Sequence, residues 1–414
     1  MDRLANTVRP YAWGSTTAIP ALLGTPPTGA PQAELWMGAH PGAPSRLDRG
    51  TGPVSLADLI EADPEGELGE AALRRFGPRL PFLLKVLAAG SPLSLQVHPD
   101  REQARQGFED EEERGVPIDA PHRNYKDTNH KPELICALEP FDGLCGFRPT
   151  REAAELIEAL GVDALKPLVD LLRALPEAEA LRDALTTVLT TEQGRVAETV
   201  EPAAAAAERL ACVPGPFASD YAAYASIARA HPGDPGVIAA MLLNHVRLSP
   251  GEALYLGAGV PHAYLSGMGV EIMANSDNVL RCGLTQKHVD VKELLKVVVF
   301  RGSGPGVLRP EPGEDGEQVY PTPIDEFRLS RYVLDGVGPR KVAAGVPQIL
   351  LCTDGSATVR ERGAAVGEAA DGGCDLGSRG GELVLARGES AFVPAGTGVE
   401  IDGEGTVFRA TVVV

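Results

Sequence analysis

The sequence predicts a mainly β chain, built as two β domains with an α-helical domain inserted into the first. Glycine (47) and proline (35) punctuate short runs rich in Val, Leu and Tyr, as turns between strands do. From Thr150 to about Ala230 the period changes to the i, i+3, i+4, i+7 stripe of an amphipathic helix, with Leu168, Leu171, Leu172 and Leu175, continued by Leu181, Leu185 and Val188. The segment GEALYLGAGVPHAY, starting at Gly251, is echoed by GESAFVPAGTGVEI, starting at Gly388.

Taken in order, residues 1–149 read as the first part of a β domain, in which Leu93-Ser-Leu-Gln-Val-His98 alternates cleanly as a strand does. Residues 150–236 form the helical insertion, bounded by Pro149 and by the turn His231-Pro-Gly-Asp-Pro-Gly236. Residues 237–301 complete the first β domain, 302–319 read as a Gly/Pro-rich linker, and 320–414 as a second β domain. A length of 414 residues excludes a single small module, and 43% hydrophobic with 23% charged residues marks a chain able to bury a sizeable core. A net charge of −19 repels nucleic acid and anionic membrane surfaces. The N-terminus has no apolar signal core and no stretch is long enough to span a bilayer, so a cytoplasmic, monomeric protein is expected. Six scattered cysteines (Cys136, Cys145, Cys212, Cys282, Cys352, Cys374) without C-x-x-C read as reduced packing residues. The run Glu109 to Arg114 reads as a solvated helix face or loop and not a metal site, Trp13 and Trp36 as core anchors, and His40 before its Pro-Gly turn as structural.

In the echo, Gly251, Gly257, Gly259 and His262 occupy the same offsets as Gly388, Pro394, Gly396 and Val399. Both copies resemble the second motif of cupins, which implies two jelly-roll barrels, one able to hold a metal and one, with Val399 in place of histidine, not.

Strand alternation puts Ser94, Gln96 and His98 on one face and Leu93, Leu95 and Val97 on the other. Glu133 precedes an apolar strand-like run and His262 follows Pro261 in the cupin-like turn. Gln96, His98, Glu133 and His262 make a mixed N/O set suited to Zn²⁺. Spacing alone favours a plainer reading, with His98 lining the barrel and Glu133 on the surface.

The segments LSLQVHPD, NYKDTNHKPELICAL, FDGLCGFRP, GAGVPHAYLSG and VEIMANSDNVLRCGLTQKHVDVKELL, with Tyr11-Ala-Trp-Gly14 and Ala33-Glu-Leu-Trp-Met-Gly38, resemble the type I phosphomannose isomerases in the family's order. The resemblance implies one zinc per chain on Gln96, His98, Glu133 and His262. It also implies interconversion of mannose 6-phosphate and fructose 6-phosphate through a cis-enediol, with a Lewis acid stabilising developing charge. Candidate proton shuttles are His130, Lys131, Glu271 and Asp277, with Asp277 or His130 expected to carry the proton and Lys131 to stabilise substrate oxygens. Arg281, as a catalytic and substrate-binding group, and Lys287 are expected to line the pocket, together with Ser94, Tyr264 and Glu271. Two other classes remain open: a bicupin oxidoreductase using Fe²⁺ or Mn²⁺, against which the missing His-x-His counts, and a sugar-binding bicupin without catalysis.

Overall fold

The computed structural model describes residues 1–50, 52–191, 193–362 and 381–414. Strand and helix take nearly equal shares of them, which corrects the expectation of a mainly β chain to a mixed one. The helices are not confined to the insertion. Helices at Leu56–Ala62, Pro64–Leu68 and Arg101–Glu113 precede it, each started by a side-chain cap, from Ser55, Asp63 and Asp100. Asp100 and Gln103 form a reciprocal capping box, which satisfies two of the amide groups that a helix start leaves unpaired.

A ten-stranded sheet holds most of the first β region. Its organiser is the strand His262–Ala274. The first half pairs with Phe141–Phe147, and His262 stands opposite Gln96 of the strand Leu95–Val97. The second half lies antiparallel between Phe82–Ala89 and Glu133–Ala137. The change of partners falls at Gly267, where φ is +111° and a Cβ would meet the Pro140 carbonyl oxygen at 2.6 Å. Only glycine fits there.

The second sheet has eight strands, seven of them running from Glu317–Tyr320 to Val399–Thr411, so the first of these seven starts inside the span read as linker. The strand Asp2–Leu4, read from sequence as part of the first β region, pairs with Ser390–Val393 in this sheet. The sequence echo is also a structural one. Strands of 4 and 13 residues, Ala253–Leu256 and His262–Ala274, correspond to Ser390–Val393 and Val399–Thr411, again 4 and 13 residues.

The insertion carries helices from Thr150–Ala159 to Gly236–Ala240. Leu168, Leu172, Leu181, Leu185 and Val188 share one buried cluster with Leu95 and Val97, so the apolar face of the ligand-bearing strand packs on the helical part. Leu93 departs from that face and lines a cavity. Leu175 also leaves the stripe: the helix ends at Ala174, and Leu175, placed before Pro176, is extended at φ −98°, ψ 159°. Cys136, Cys145, Cys282 and Cys352 are buried and free as expected, whereas free Cys212 is exposed, against the expectation of a packing residue; Cys374 lies outside the described residues. Among the described residues no helix is long and apolar enough to cross a membrane.

Candidate metal centre

Three backbone registers bring the expected ligands together. Gln96 sits between His262 and Arg281 on neighbouring strands. Glu133 opens its strand opposite Met273 on one side and Leu256 on the other. His98 follows the strand Leu95–Val97 directly and is buried. Nε2 of His98 lies 3.4 Å from Oε1 of Glu133, and Nε2 of His262 lies 3.4 Å from Oε2 of the same carboxylate. The donor atoms of all three fall within 4.8 Å of one another.

The hydrogen bonds fix the tautomers. Nδ1 of His98 is 2.8 Å from the Asn278 carbonyl oxygen and Nδ1 of His262 is 2.9 Å from that of Val260. A carbonyl only accepts, so both Nδ1 atoms carry the proton and both Nε2 atoms offer lone pairs. His98 Nε2 and Glu133 Oε2 are buried without a hydrogen-bond partner. The Gln96 amide stands 3.4 Å from Nε2 of His262, and a half-turn of that amide presents its oxygen to the same point. Lone pairs converging on one buried point fit a divalent cation, and two imidazoles, a carboxylate and an amide oxygen fit zinc. Burial pushes His98 down to about 4, keeping it neutral. Burial pushes the Glu133 carboxyl up, but the neighbouring His98 and Lys131 outweigh it and hold the group well below its ordinary value.

The centre adjoins a cavity of about 740 Å³. Ser94, Gln96, Lys131, Glu133, Tyr264, Glu271, Asp277, Arg281 and Lys287 all line it, as the sequence led one to expect. His130 does not. Its Nε2 is 2.9 Å from Glu326, on the segment entering the second sheet, and this pairing turns it away from the site. Lys131 stands 3.3 Å from Glu133. Asp277 is at the exposed rim, 3.8 Å from His40.

Sequence reasoning missed several lining groups. Lys85 is buried in the strand Phe82–Ala89, 3.0 Å from Glu271 and 3.6 Å from Glu34, with its ammonium over the Trp36 ring. Burial pulls its pKa down, but Glu271, Glu34 and Glu133 more than compensate and keep it charged. Glu271 is pushed up by burial and by Glu133 and Glu34, against the pull of Lys85, and it accepts a 2.8 Å hydrogen bond from the Tyr264 hydroxyl. Trp13 and Trp36 line the cavity instead of serving only as core anchors. The one available signal was a lysine inside the apolar run Pro81-Phe-Leu-Leu-Lys-Val. Burial lowers the pKa of Arg281, and burial together with Arg281 lowers that of Lys287. Neither is ion-paired with any described residue, so the mouth carries two cations awaiting an anion.

A buried imidazole–carboxylate centre beside an open cavity that bears the two cations Arg281 and Lys287 without a carboxylate partner among the described residues defines a metal-dependent enzyme acting on a small anionic substrate. The family model "Phosphomannose isomerase type I, catalytic domain" matches residues 1–150. Mannose-6-phosphate isomerase of Escherichia coli (strain K12) is 39% identical over 413 residues, covering 99% of each chain. The Bos taurus mannose-6-phosphate isomerase is 34% identical, over 86% of this chain and 88% of its own. A solved structure of mannose 6-phosphate isomerase from Salmonella typhimurium, bound to substrate and a zinc atom, superposes with a TM-score of 0.87 at 37% identity, covering 100% of both chains. The chain belongs to the type I phosphomannose isomerase family and is an isomerase.

Proposed function

We propose that this chain interconverts mannose 6-phosphate and fructose 6-phosphate, using one zinc ion held by Gln96, His98, Glu133 and His262. The observation that carries the reading is the pair of bare Nε2 lone pairs facing the buried, partly unsatisfied Glu133 carboxylate, beside a cavity that bears Arg281 and Lys287. Zinc, when bound, supplies a Lewis acid that polarises the sugar's carbonyl and hydroxyl oxygens. Lys131 and Lys85 add fixed positive charge where the enediol's charge develops. Arg281 and Lys287, free of carboxylate partners, receive the phosphate, with Ser94 adding a hydrogen bond. Tyr264 holds Glu271 in place on the wall.

Proton transfer between the two adjacent carbons requires a base in the cavity, and Glu271 and Asp277 are the lining carboxylates outside the metal set that flank it on the strand His262–Ala274 and just beyond it. Glu271 is engaged by Lys85 and Tyr264, Glu34 by Lys85 and Trp36, and Asp234 by the Gly236 and Thr285 N–H groups, which leaves Asp277 among the lining carboxylates as the shuttle. In ²H₂O, Asp277→Asn is expected to abolish solvent-hydrogen incorporation into the product; unchanged exchange would give the role to Glu271. The activity itself is tested by incubating the protein with fructose 6-phosphate, with and without a chelator. Mannose 6-phosphate formed after complete metal removal refutes the zinc reading, and none with added Zn²⁺ favours a non-catalytic binding protein.

The repeated strand pair supports two cupin-type jelly-roll barrels, the second lacking a metal site at Val399. In this reading residues 1–149 and 237–301 make most of the catalytic barrel, 150–236 the insertion, 302–316 the linker and 320–414 most of the second barrel, which also takes in the strands Asp2–Leu4 and Glu317–Tyr320. A cytoplasmic monomer is part of the same proposal: the described cysteines are all free, as in a reducing compartment.

A further inference from the structure

The turn that closes the helical insertion grips both lips of the cavity. On one side Nε2 of His231 donates to the Pro92 carbonyl oxygen at 3.2 Å, two residues before Ser94. On the other side Asp234 reaches the segment that carries the two unpaired cations. Its Oδ1 accepts the Gly236 N–H at 2.7 Å and its Oδ2 accepts the Thr285 N–H at 3.0 Å. Thr285 passes the constraint on, because its Oγ1 accepts the Lys287 N–H at 3.1 Å. The carboxylate of Asp234 is therefore two hydrogen bonds from the backbone of Lys287.

The contact is tight as well as hydrogen-bonded. A Cβ on Gly236 would lie 2.6 Å from the Leu284 amide nitrogen, and one on Gly283 would lie 2.7 Å from the Gly236 Cα. Two glycines let backbone meet backbone. Between them and Thr285 stands Leu284, at φ +57° the one non-glycine residue with positive φ among the described residues. A bulky side chain held in that conformation is strained and persists only where its surroundings over-determine it. Here the surroundings are Asp234, Gly236 and burial of the leucine side chain.

We infer that Asp234 is a positioning residue for substrate binding: it pins the strained Leu284–Thr285 turn so that Arg281 and Lys287 face the phosphate. The inference rests on the assignment of those two cations to the phosphate. It gives the helical insertion a catalytic purpose, since an element remote in sequence sets the geometry of the anion pocket.

The test is steady-state kinetics on the zinc-loaded, full-length protein. Asp234→Asn keeps the shape but faces one backbone N–H with a second donor. It is expected to raise KM for mannose 6-phosphate on the order of tenfold, the loss of one charge-assisted hydrogen bond, with a smaller change in kcat and unaltered zinc content. Asp234→Ala serves if the amide variant fails to accumulate. Lys287→Ala is measured alone and combined with each. If Asp234 acts through Lys287, its substitution raises KM much less in the Lys287→Ala background. Full additivity, or a fall in kcat and unfolding midpoint with KM unchanged, overturns the inference and leaves a purely structural contact. Unchanged KM in Lys287→Ala and in Arg281→Ala instead overturns the phosphate assignment beneath it.

Discussion

At the residue scale, the least expected group is Lys85. Its side chain is 8% exposed and lies between Glu34 and Glu271, both nearly buried themselves. A cation so placed is not there for net stability, since a hydrophobic replacement of a whole buried network is often neutral. Removing one partner is different. Lys85→Met is expected to leave two buried carboxylates unneutralised, lowering stability by about 3–5 kcal/mol in urea unfolding and abolishing isomerisation. Partial recovery of stability in Lys85→Met/Glu271→Gln would show that the uncompensated charge, not lost packing, was responsible. A single variant within about 1 kcal/mol of the parent would remove the buried-network reading. Lys85 escaped the sequence because a strand buried at every position reads as one apolar run, in which hydropathy hides a single charge. Among the candidate ligands, alternation gave the direction of Gln96 and His98 and the glycine-rich turn presented His262, whereas spacing alone favoured a surface place for Glu133 and only the family resemblance implied the set of four as ligands.

Among the elements, the strand His262–Ala274 decides whether the centre exists. His262 at its start faces Gln96, while Met273 near its end faces Glu133, so one strand sets both sides of the ligand cluster. Gly269 lies midway along it. A Cβ there would meet Ile135 Cδ1 at 2.7 Å and the Cys136 carbonyl oxygen at 2.8 Å, both in the strand that Glu133 begins. Gly269→Val is therefore expected to push that strand outward, costing about 1–3 kcal/mol in overpacking and lowering bound zinc measured by atomic absorption. Loss of stability with zinc retained would mean that Glu133 is held by its own neighbours rather than by the strand pairing. The order of strands in the sheet was out of reach of the sequence, because alternation gives a residue's face but not its partner strand. The helices before the insertion were missed because their evidence is in their caps, Ser55, Asp63 and Asp100, and not in a long apolar stripe.

Over the whole molecule, the two sheets are not separate beads. Leu84, Val86 and Ile272 of the first pack in one buried cluster with Phe327, Ile349 and Phe408 of the second. Polar contacts reinforce the joint where His130, expected in the cavity, instead meets Glu326, which also pairs with Arg101. Burial pushes the Glu326 carboxyl up, but His130, a backbone hydrogen bond and Arg101 outweigh it and bring it down from 4.5 to about 2. A carboxylate with a lowered folded pKa contributes stability that is complete above its unfolded pKa and disappears as pH falls through the folded one. For Glu326 that window runs from pH 4.5 down to about 2. Glu326→Gln is therefore expected to unfold at a lower temperature than the parent near about pH 5, with the gap narrowing steadily as the pH is lowered through the window. His130 lies one residue from Lys131 and three from Glu133, so the same variant tests whether the second sheet braces the metal centre. In that case zinc affinity near neutral pH falls together with the unfolding temperature. A temperature gap that stays constant across the window would show that the charge of Glu326 adds nothing to the joint, leaving it to the shared apolar cluster and to uncharged contacts such as the Tyr320 hydroxyl on the Gly251 carbonyl oxygen.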